Sequence, residues 1–239
     1  MWIKRLRREV QLIGSEPSMS RVRRVFSSSV GTKLLIGLTG LALFAYLIVH
    51  LAGNLLIFWG QDTFNEYSHR LMSNPLVVPV EIGLLLIFLL HIYKTVKMWM
   101  DNQAARPVRY QKTAWAGHTS RKSLASTTMI YSGLTIFLLV LIHLKQFKFG
   151  AMYEIGNPPV RDLYRTEVEV FSRPGWVVLY LIFVGLVAAH LRHGISSAVQ
   201  SLGITHPVYT KRIVLLGTIL AIVIGAGFAI IPIWVLLTR

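Results

Sequence analysis

The sequence predicts an all-α integral membrane bundle of five transmembrane helices, with the N-terminus cytoplasmic and the C-terminus external. Three observations carry that expectation. Hydrophobic residues make up 54% of 239 residues and the mean hydropathy is +0.55, too apolar for one soluble domain. The apolar residues fall in five runs, each long enough to cross about 30 Å of hydrocarbon at ~1.5 Å per residue. The net charge of +15 gathers at the ends of those runs, as the positive-inside rule requires, so the chain reads as a membrane protein and not as a nucleic-acid binder.

Residues 1–33 form a basic cytoplasmic arm carrying Lys4, Arg5, Arg7, Arg8, Arg21, Arg23, Arg24 and Lys33. No apolar stretch precedes Leu34, and the run that begins there is too long for a signal peptide, so it is read as a retained helix. The first span covers about 34–59. The connection from Gly60 to Asn74 holds Asp62 and Glu66 against Arg70 and falls outside. A second span at about 76–96 ends at Lys94 and Lys97 beside Trp99, an interfacial anchor. The next connection, up to Ser123, sets Arg106, Arg109, Lys112, Arg121 and Lys122 against the single acid Asp101 and returns to the cytoplasm. A third span follows at about 124–144. The segment from Lys145 to Arg173 mixes both charges around Asn157-Pro158-Pro159 and reads as an external loop with turns. The fourth span, about 176–199, exits through Gly203 and Pro207 before Lys211-Arg212. The fifth, about 213–237, has no ionisable residue and reads as a packing helix. Inner segments hold 18 of the 25 Lys and Arg, which sets the orientation. No internal repeat is evident.

Four of these spans carry one histidine deep in an apolar run: His50, His91, His143 and His190. An imidazole is costly in hydrocarbon and faces the bundle interior when it is kept there. One such histidine is usually a hydrogen-bonded packing residue; four in successive spans are better explained as two pairs, since bis-histidine ligation of haem takes one imidazole from each of two facing helices. Depth sets the pairing. His50 lies ~25 Å and His143 ~30 Å from the inner ends of their spans, while His91 and His190 lie ~22 Å and ~21 Å from the outer ends of theirs. His50 with His143 is therefore the outer pair, and His91 with His190 the inner one. Two stacked haems would carry electrons across the membrane. Gly37, Gly40, Gly53, Gly83, Gly133, Gly185 and Gly194 are small residues where a macrocycle, or simply a neighbouring helix, can approach. His193, three residues past His190, either hydrogen-bonds a haem propionate or snorkels to the interface. The absence of cysteine excludes an iron–sulfur cluster, covalently attached haem or a disulfide in this chain.

The motifs His50-Leu51-Ala52-Gly53-Asn54 with Phe64-Asn65-Glu66-Tyr67-Ser68-His69, Pro79-Val80-Glu81-Ile82-Gly83, and His190-Leu191-Arg192-His193-Gly194 resemble the cytochrome b subunit of succinate:menaquinone oxidoreductases and fumarate reductases of the five-helix, two-haem type. The resemblance runs from Ser29 to Leu237. It implies His190 rather than His193 as the axial ligand, because in that family a glycine stands four residues after it. It further implies two haem b groups and menaquinone or another quinone as cofactors. The partners implied are a flavoprotein subunit with FAD and an iron–sulfur subunit, in a bacterial cytoplasmic membrane. Succinate would be oxidised in the flavoprotein, with electrons passing through this anchor to quinone. Glu66 is the nearest match to the family's acidic residue at the menaquinone site; the bland reading is a solvated loop carboxylate. Some relatives carry a glutamate two residues before the span IV ligand, where this chain has Ala188. The basic inner face, including Arg7, Arg8, Arg23, Arg24, Arg109, Lys112, Arg121 and Lys122, would meet the cluster-bearing subunit and anionic lipid. His118 and His206 read as ordinary loop residues. Direction and higher oligomers of the complex stay open. The other readings are a haem b subunit of a formate dehydrogenase or hydrogenase, and a transporter whose histidines relay protons.

Overall fold

Capping and turn chemistry, more than hydropathy, decide where the helices of this chain begin and end. The computed structural model describes residues 28–105, 124–204, 206 and 209–239, with the side chains of 124–127 excepted. Nearly all of the N-terminal arm, His118, and the basic residues from Arg106 to Lys122 lie outside the described residues.

Helix α1 (Ser29–Asn54) starts five residues before the apolar run, because the Ser28 hydroxyl accepts the Gly31 N–H at 3.1 Å and caps it. It tightens into a 3-10 turn, Leu55–Trp59, and stops at Gly60, whose φ of +97° suits glycine. The connection expected next is in fact an amphipathic helix, α2 (Gln61–Met72). Asp62 lies in its first turn and His69 and Arg70 in its last, the signs that complement a helix dipole, and it buries Phe64, Asn65 and Ser68. Helix α3 (Val77–Ala104) outruns the predicted span at its inner end, where Lys97 and Asp101 pair at 2.9 Å one turn apart. Pro79 falls in its first turn, where no intrahelical hydrogen bond is lost.

Helix α4 (Leu124–His143) passes into a π-helical turn, Leu144–Lys148, directly after the histidine. The expected loop beyond is partly ordered by a two-residue antiparallel hairpin, β1 (Glu154–Ile155) with β2 (Val160–Arg161), Glu154 opposite Arg161. Helix α5 (Leu163–Phe171) follows, then α6 (Pro174–Ser201), opened by proline in its first turn, and α7 (Tyr209–Thr238). Among the described residues, five helices are long and apolar enough to cross a membrane.

Helix α1 packs against α3 and α6, α6 packs against α4, and α3 meets α4 only lightly, so these four form a ring. Helix α7 lies outside it, mainly against α6 and also against α1. Glycine permits those close approaches: a Cβ on Gly225 would stand 2.9 Å from the Ala188 Cβ, and one on Gly227 only 2.7 Å from a Leu51 methyl. One apolar cluster, Leu51, Leu191, Ile195, Ala221 and Ile224, joins α1, α6 and α7. A second closes the end of the bundle at which α1 and α4 finish. There Ile57, Phe64, Tyr164, Phe171, Tyr180 and Val235 bring the short helices α2 and α5 over the long ones.

Asp162 latches those short helices together. Its carboxylate, 4% exposed, accepts from Gln61 Nε2 at 2.7 Å, from Asn65 Nδ2 at 2.8 Å and from the Arg165 N–H at 3.0 Å, capping α5, while Asn65 Oδ1 accepts the Tyr164 N–H at 3.0 Å. Asp162→Ala removes the cap and strands the buried Asn65 amide and the half-buried Gln61 amide, so a loss of about 2–4 kcal/mol is expected. A lowered thermal unfolding midpoint in detergent measures it, and an unchanged midpoint counts against the latch.

Candidate functional site: two histidine pairs inside the ring

Positions 39 and 50 of α1 are eleven residues apart, close to three full helical turns, so they share one face at two depths. The same holds for 132 and 143 of α4. Each face carries a hydroxyl and a glycine at one level, Thr39-Gly40 and Ser132-Gly133, and a histidine at the other, His50 and His143. Aligned on those positions, Thr39–Leu51 and Ser132–Leu144 share glycine, leucine, phenylalanine, histidine and leucine in register. This corrects the expectation that no repeat exists. Each copy continues into a short helix and a second histidine-bearing long helix, α1-α2-α3 and then α4-α5-α6.

His50 and His143 meet across the ring with their ring centres 5.8 Å apart and their planes at 89°. An iron held between two imidazole nitrogens at about 2 Å each, plus roughly 1 Å from nitrogen to ring centre on either side, needs about 6 Å. Aromatic rings fix both imidazoles. Tyr46 stacks on His50 at 5.3 Å and Phe228 lies 5.7 Å away, while Phe147, Tyr180 and Phe183 surround His143. Asn54 Nδ2 donates to the His50 carbonyl at 2.7 Å and only approaches His50 Nδ1, at 3.4 Å. His143 Nδ1 is buried with no hydrogen-bond partner among the described residues.

The other two histidines are held by hydroxyls. Thr39 Oγ1 donates to the Leu35 carbonyl at 2.7 Å and therefore accepts from His91 Nδ1, 3.0 Å away. Ser132 Oγ does the same between the Met129 carbonyl at 3.1 Å and His190 Nδ1 at 3.2 Å. With the proton fixed on Nδ1, the lone pair is on Nε2, which is the tautomer that ligates a metal. His190 is within electrostatic reach of His91. The two glycines of the repeat allow the rings in: a Cβ would stand 3.2 Å from His91 Cε1 at Gly40 and 3.4 Å from His190 Cε1 at Gly133. Among the described residues no three His, Cys, Asp or Glu side chains gather as an ion site would need, and His50 with His143 offers two imidazoles. That donor set fits a macrocycle-held iron completed by two imidazoles.

The structure brings His50 and His143 together, and it places Thr39 on His91 and Ser132 on His190 at the other level. His193 is half-buried and within electrostatic reach of His190. Glu66 is not brought to the histidines: it is exposed and pairs with Arg70 at 2.5 Å. Besides Asp162, this end carries Glu81, ion-paired with Lys148 between α3 and the π turn, and the buried Glu167. Gly37 and Gly53 pack against α6 and Tyr67, whereas Gly83, Gly185 and Gly194 meet nothing within 4 Å. The side chain of Ala188 faces Gly225 of α7, so position 188 is a packing contact here. His206 lies beside Tyr209, 4.9 Å between ring centres. Thr39, Ser132 and Asn54 are the residues that sequence reasoning passes over. The spacing from hydroxyl and glycine to histidine, repeated once, is the signal that finds the first two.

No protein-family model, no curated protein and no solved structure matches this chain.

The glycine contact yields a test. Gly40→Val places a branched side chain against His91 and is expected to deplete binding at the His91/His190 level while sparing the His50/His143 level. Haem per chain measures this, with Gly83→Ala, where nothing lies within 4 Å, as the unaffected comparison.

Proposed function

We propose that the chain is a membrane-bound b-type cytochrome with two haems, held by His50 with His143 and by His91 with His190. The observation that carries this is the two-level arrangement of paired imidazoles, one pair 5.8 Å apart and the other with both Nδ1 atoms hydrogen-bonded to hydroxyls. Within that class, the particular protein is the membrane-anchor cytochrome b subunit of a succinate:menaquinone oxidoreductase, a succinate dehydrogenase of the bacterial cytoplasmic membrane. The motif resemblance supports this step.

When bound, the haems supply two one-electron centres. The chain's own residues do the rest. Thr39 and Ser132 hold His91 and His190 in the ligating tautomer and make them better donors. The aromatic rings at the His50/His143 end keep water out, which lowers the local dielectric. If the N-terminus is inside, as the charge distribution predicts, the His91/His190 level would be the inner one, and a cluster-bearing partner would supply electrons there. In this reading quinone would bind toward the His50/His143 end, with Glu66 on the exposed side of that end, and His193 would be available to hydrogen-bond a bound haem's propionate.

The test is a dithionite-reduced minus oxidised spectrum of the purified chain, followed by copurification. Two b-type haems per chain and a flavoprotein plus an iron–sulfur protein that reduce them with succinate are expected. No haem signal returns the histidines to a proton-relay reading. Haem reduced by formate or hydrogen and not by succinate assigns the chain to the other dehydrogenase class.

A further inference from the structure

One ionisable group at the His50/His143 end has no place in this scheme. Glu167 on α5 is 5% exposed and shares its face of the helix with Tyr164 and Phe171, three residues before and four after it, both members of the apolar cluster that closes the bundle. Its carboxyl makes no hydrogen bond or ion pair among the described residues. The charged groups on the elements around it are engaged elsewhere or exposed. Asp162 binds Gln61 and Asn65, Arg239 at the end of α7 donates to the Tyr164 hydroxyl at 2.6 Å, and Lys148 pairs with Glu81. On α5 itself Arg165 pairs with Glu169, on α2 Glu66 pairs with Arg70 while Asp62 and His69 are exposed, and Lys145 of the π turn is exposed. Tyr180 of α6 is the titratable side chain within electrostatic reach.

Tyr180 is also the link to the histidines. Its ring centre is 6.1 Å from that of His143, and its hydroxyl donates at 2.6 Å to Gln146, which lies in the turn following His143. We propose that Glu167 is a redox-linked proton site, taking a proton from bulk water as an electron arrives at the His50/His143 end and returning it as the electron leaves. The inference rests on the reading of that pair as the holder of a redox centre. The balance is one electron into the centre, from the iron–sulfur partner or from an electrode, and one proton onto the Glu167 carboxylate, so the net charge at this end does not change. Burial without a partner pushes the Glu167 carboxyl up to about 8, near the pH at which a small change in local charge moves its proton. An added electron raises it further, so uptake is expected from about pH 8 upward.

The experiment is electrochemical titration of the purified, haem-loaded complex between pH 7 and 10, with infrared difference spectra recorded on reduction. In the natural protein the reduction equilibrium of one haem should shift by up to tenfold per pH unit above about pH 8, or ~59 mV per unit. Reduction should also produce a protonated-carboxyl band. Glu167→Gln should keep both haems, lose the slope and lose the band, while Glu167→Asp should keep a slope in a displaced pH window. The same slope in Glu167→Gln, or no carboxyl band in the natural protein, overturns the proposal. The infrared result on the natural protein decides it even where the glutamine variant does not fold. A haem-bearing protein with pH-independent potentials overturns this inference alone, whereas a purified chain that binds no haem overturns the site reading with it.

Discussion

His50→Ala and His143→Ala are each expected to cut the haem content of the purified protein by half and to remove the same haem, while His91→Ala and His190→Ala each remove the other. The expectation follows from mutual completion: an iron that loses one of two axial imidazoles loses half of its protein ligation, and the remaining ring is left buried without its partner. His50 meets His143 at 5.8 Å, and Thr39 and Ser132 hydrogen-bond Nδ1 of His91 and of His190 at the other level. Redox titration of each variant, resolving which potential disappears, measures the assignment. Loss of the same haem from His50→Ala and His91→Ala would overturn it. Thr39→Val and Ser132→Ala should act more mildly. Each removes the hydroxyl that holds a ligand's Nδ1 proton, a change that typically costs on the order of 10- to 100-fold in metal affinity.

The second large effect concerns pH and needs no haem. In the folded protein Glu167 holds its proton up to about pH 8, because burial disfavours the charged form. In the unfolded chain it releases the proton near the ordinary glutamate value of about 4.3. Between those limits the folded state binds more protons than the unfolded one, so stability falls as pH rises, by up to about 1.4 kcal/mol for each unit until the window closes near pH 8. Thermal unfolding in detergent at pH 6, 7 and 8 should show a falling midpoint. Glu167→Leu, which fills similar space without a charge to desolvate, should flatten that fall and raise the midpoint at pH 8. Identical slopes in the two proteins would show that the carboxyl ionises freely in the fold.

Much of this arrangement is written in the chain at the level of hydropathy and residue type. The five apolar runs are five helices because a backbone in hydrocarbon has to satisfy its own hydrogen bonds. Counting ~1.5 Å per residue along each run is enough to match His50 with His143, which meet at 5.8 Å, since helix rise is fixed. Helix ends are less legible, because Ser28 and the Lys97–Asp101 pair extend α1 and α3 into polar sequence that hydropathy alone gives to loops. The short helices α2 and α5 escape for a related reason. Their polarity looks like loop composition until Phe64, Asn65, Tyr164 and Phe171 are seen to fall on buried faces. Position 188 and Glu167 show the opposite limit. An alanine two residues before His190 packs on Gly225, and a glutamate in a polar loop is 5% exposed, and neither fact exists before the helices pack.

The repeated step on α1 and α4 acts as a ruler. Each of these helices presents a histidine at one level and, eleven residues earlier on the same face, the hydroxyl that steadies a histidine at the other level. Eleven residues at helical rise are ~16 Å, so the vertical distance between the two imidazole pairs is set by covalent geometry and not by the softer packing of helix on helix. A one-residue insertion between Gly40 and His50 would turn the histidine by ~100° and lift it ~1.5 Å, uncoupling the two levels at a single stroke. Two copies of the ruler, facing each other across the ring, hold both levels to one spacing.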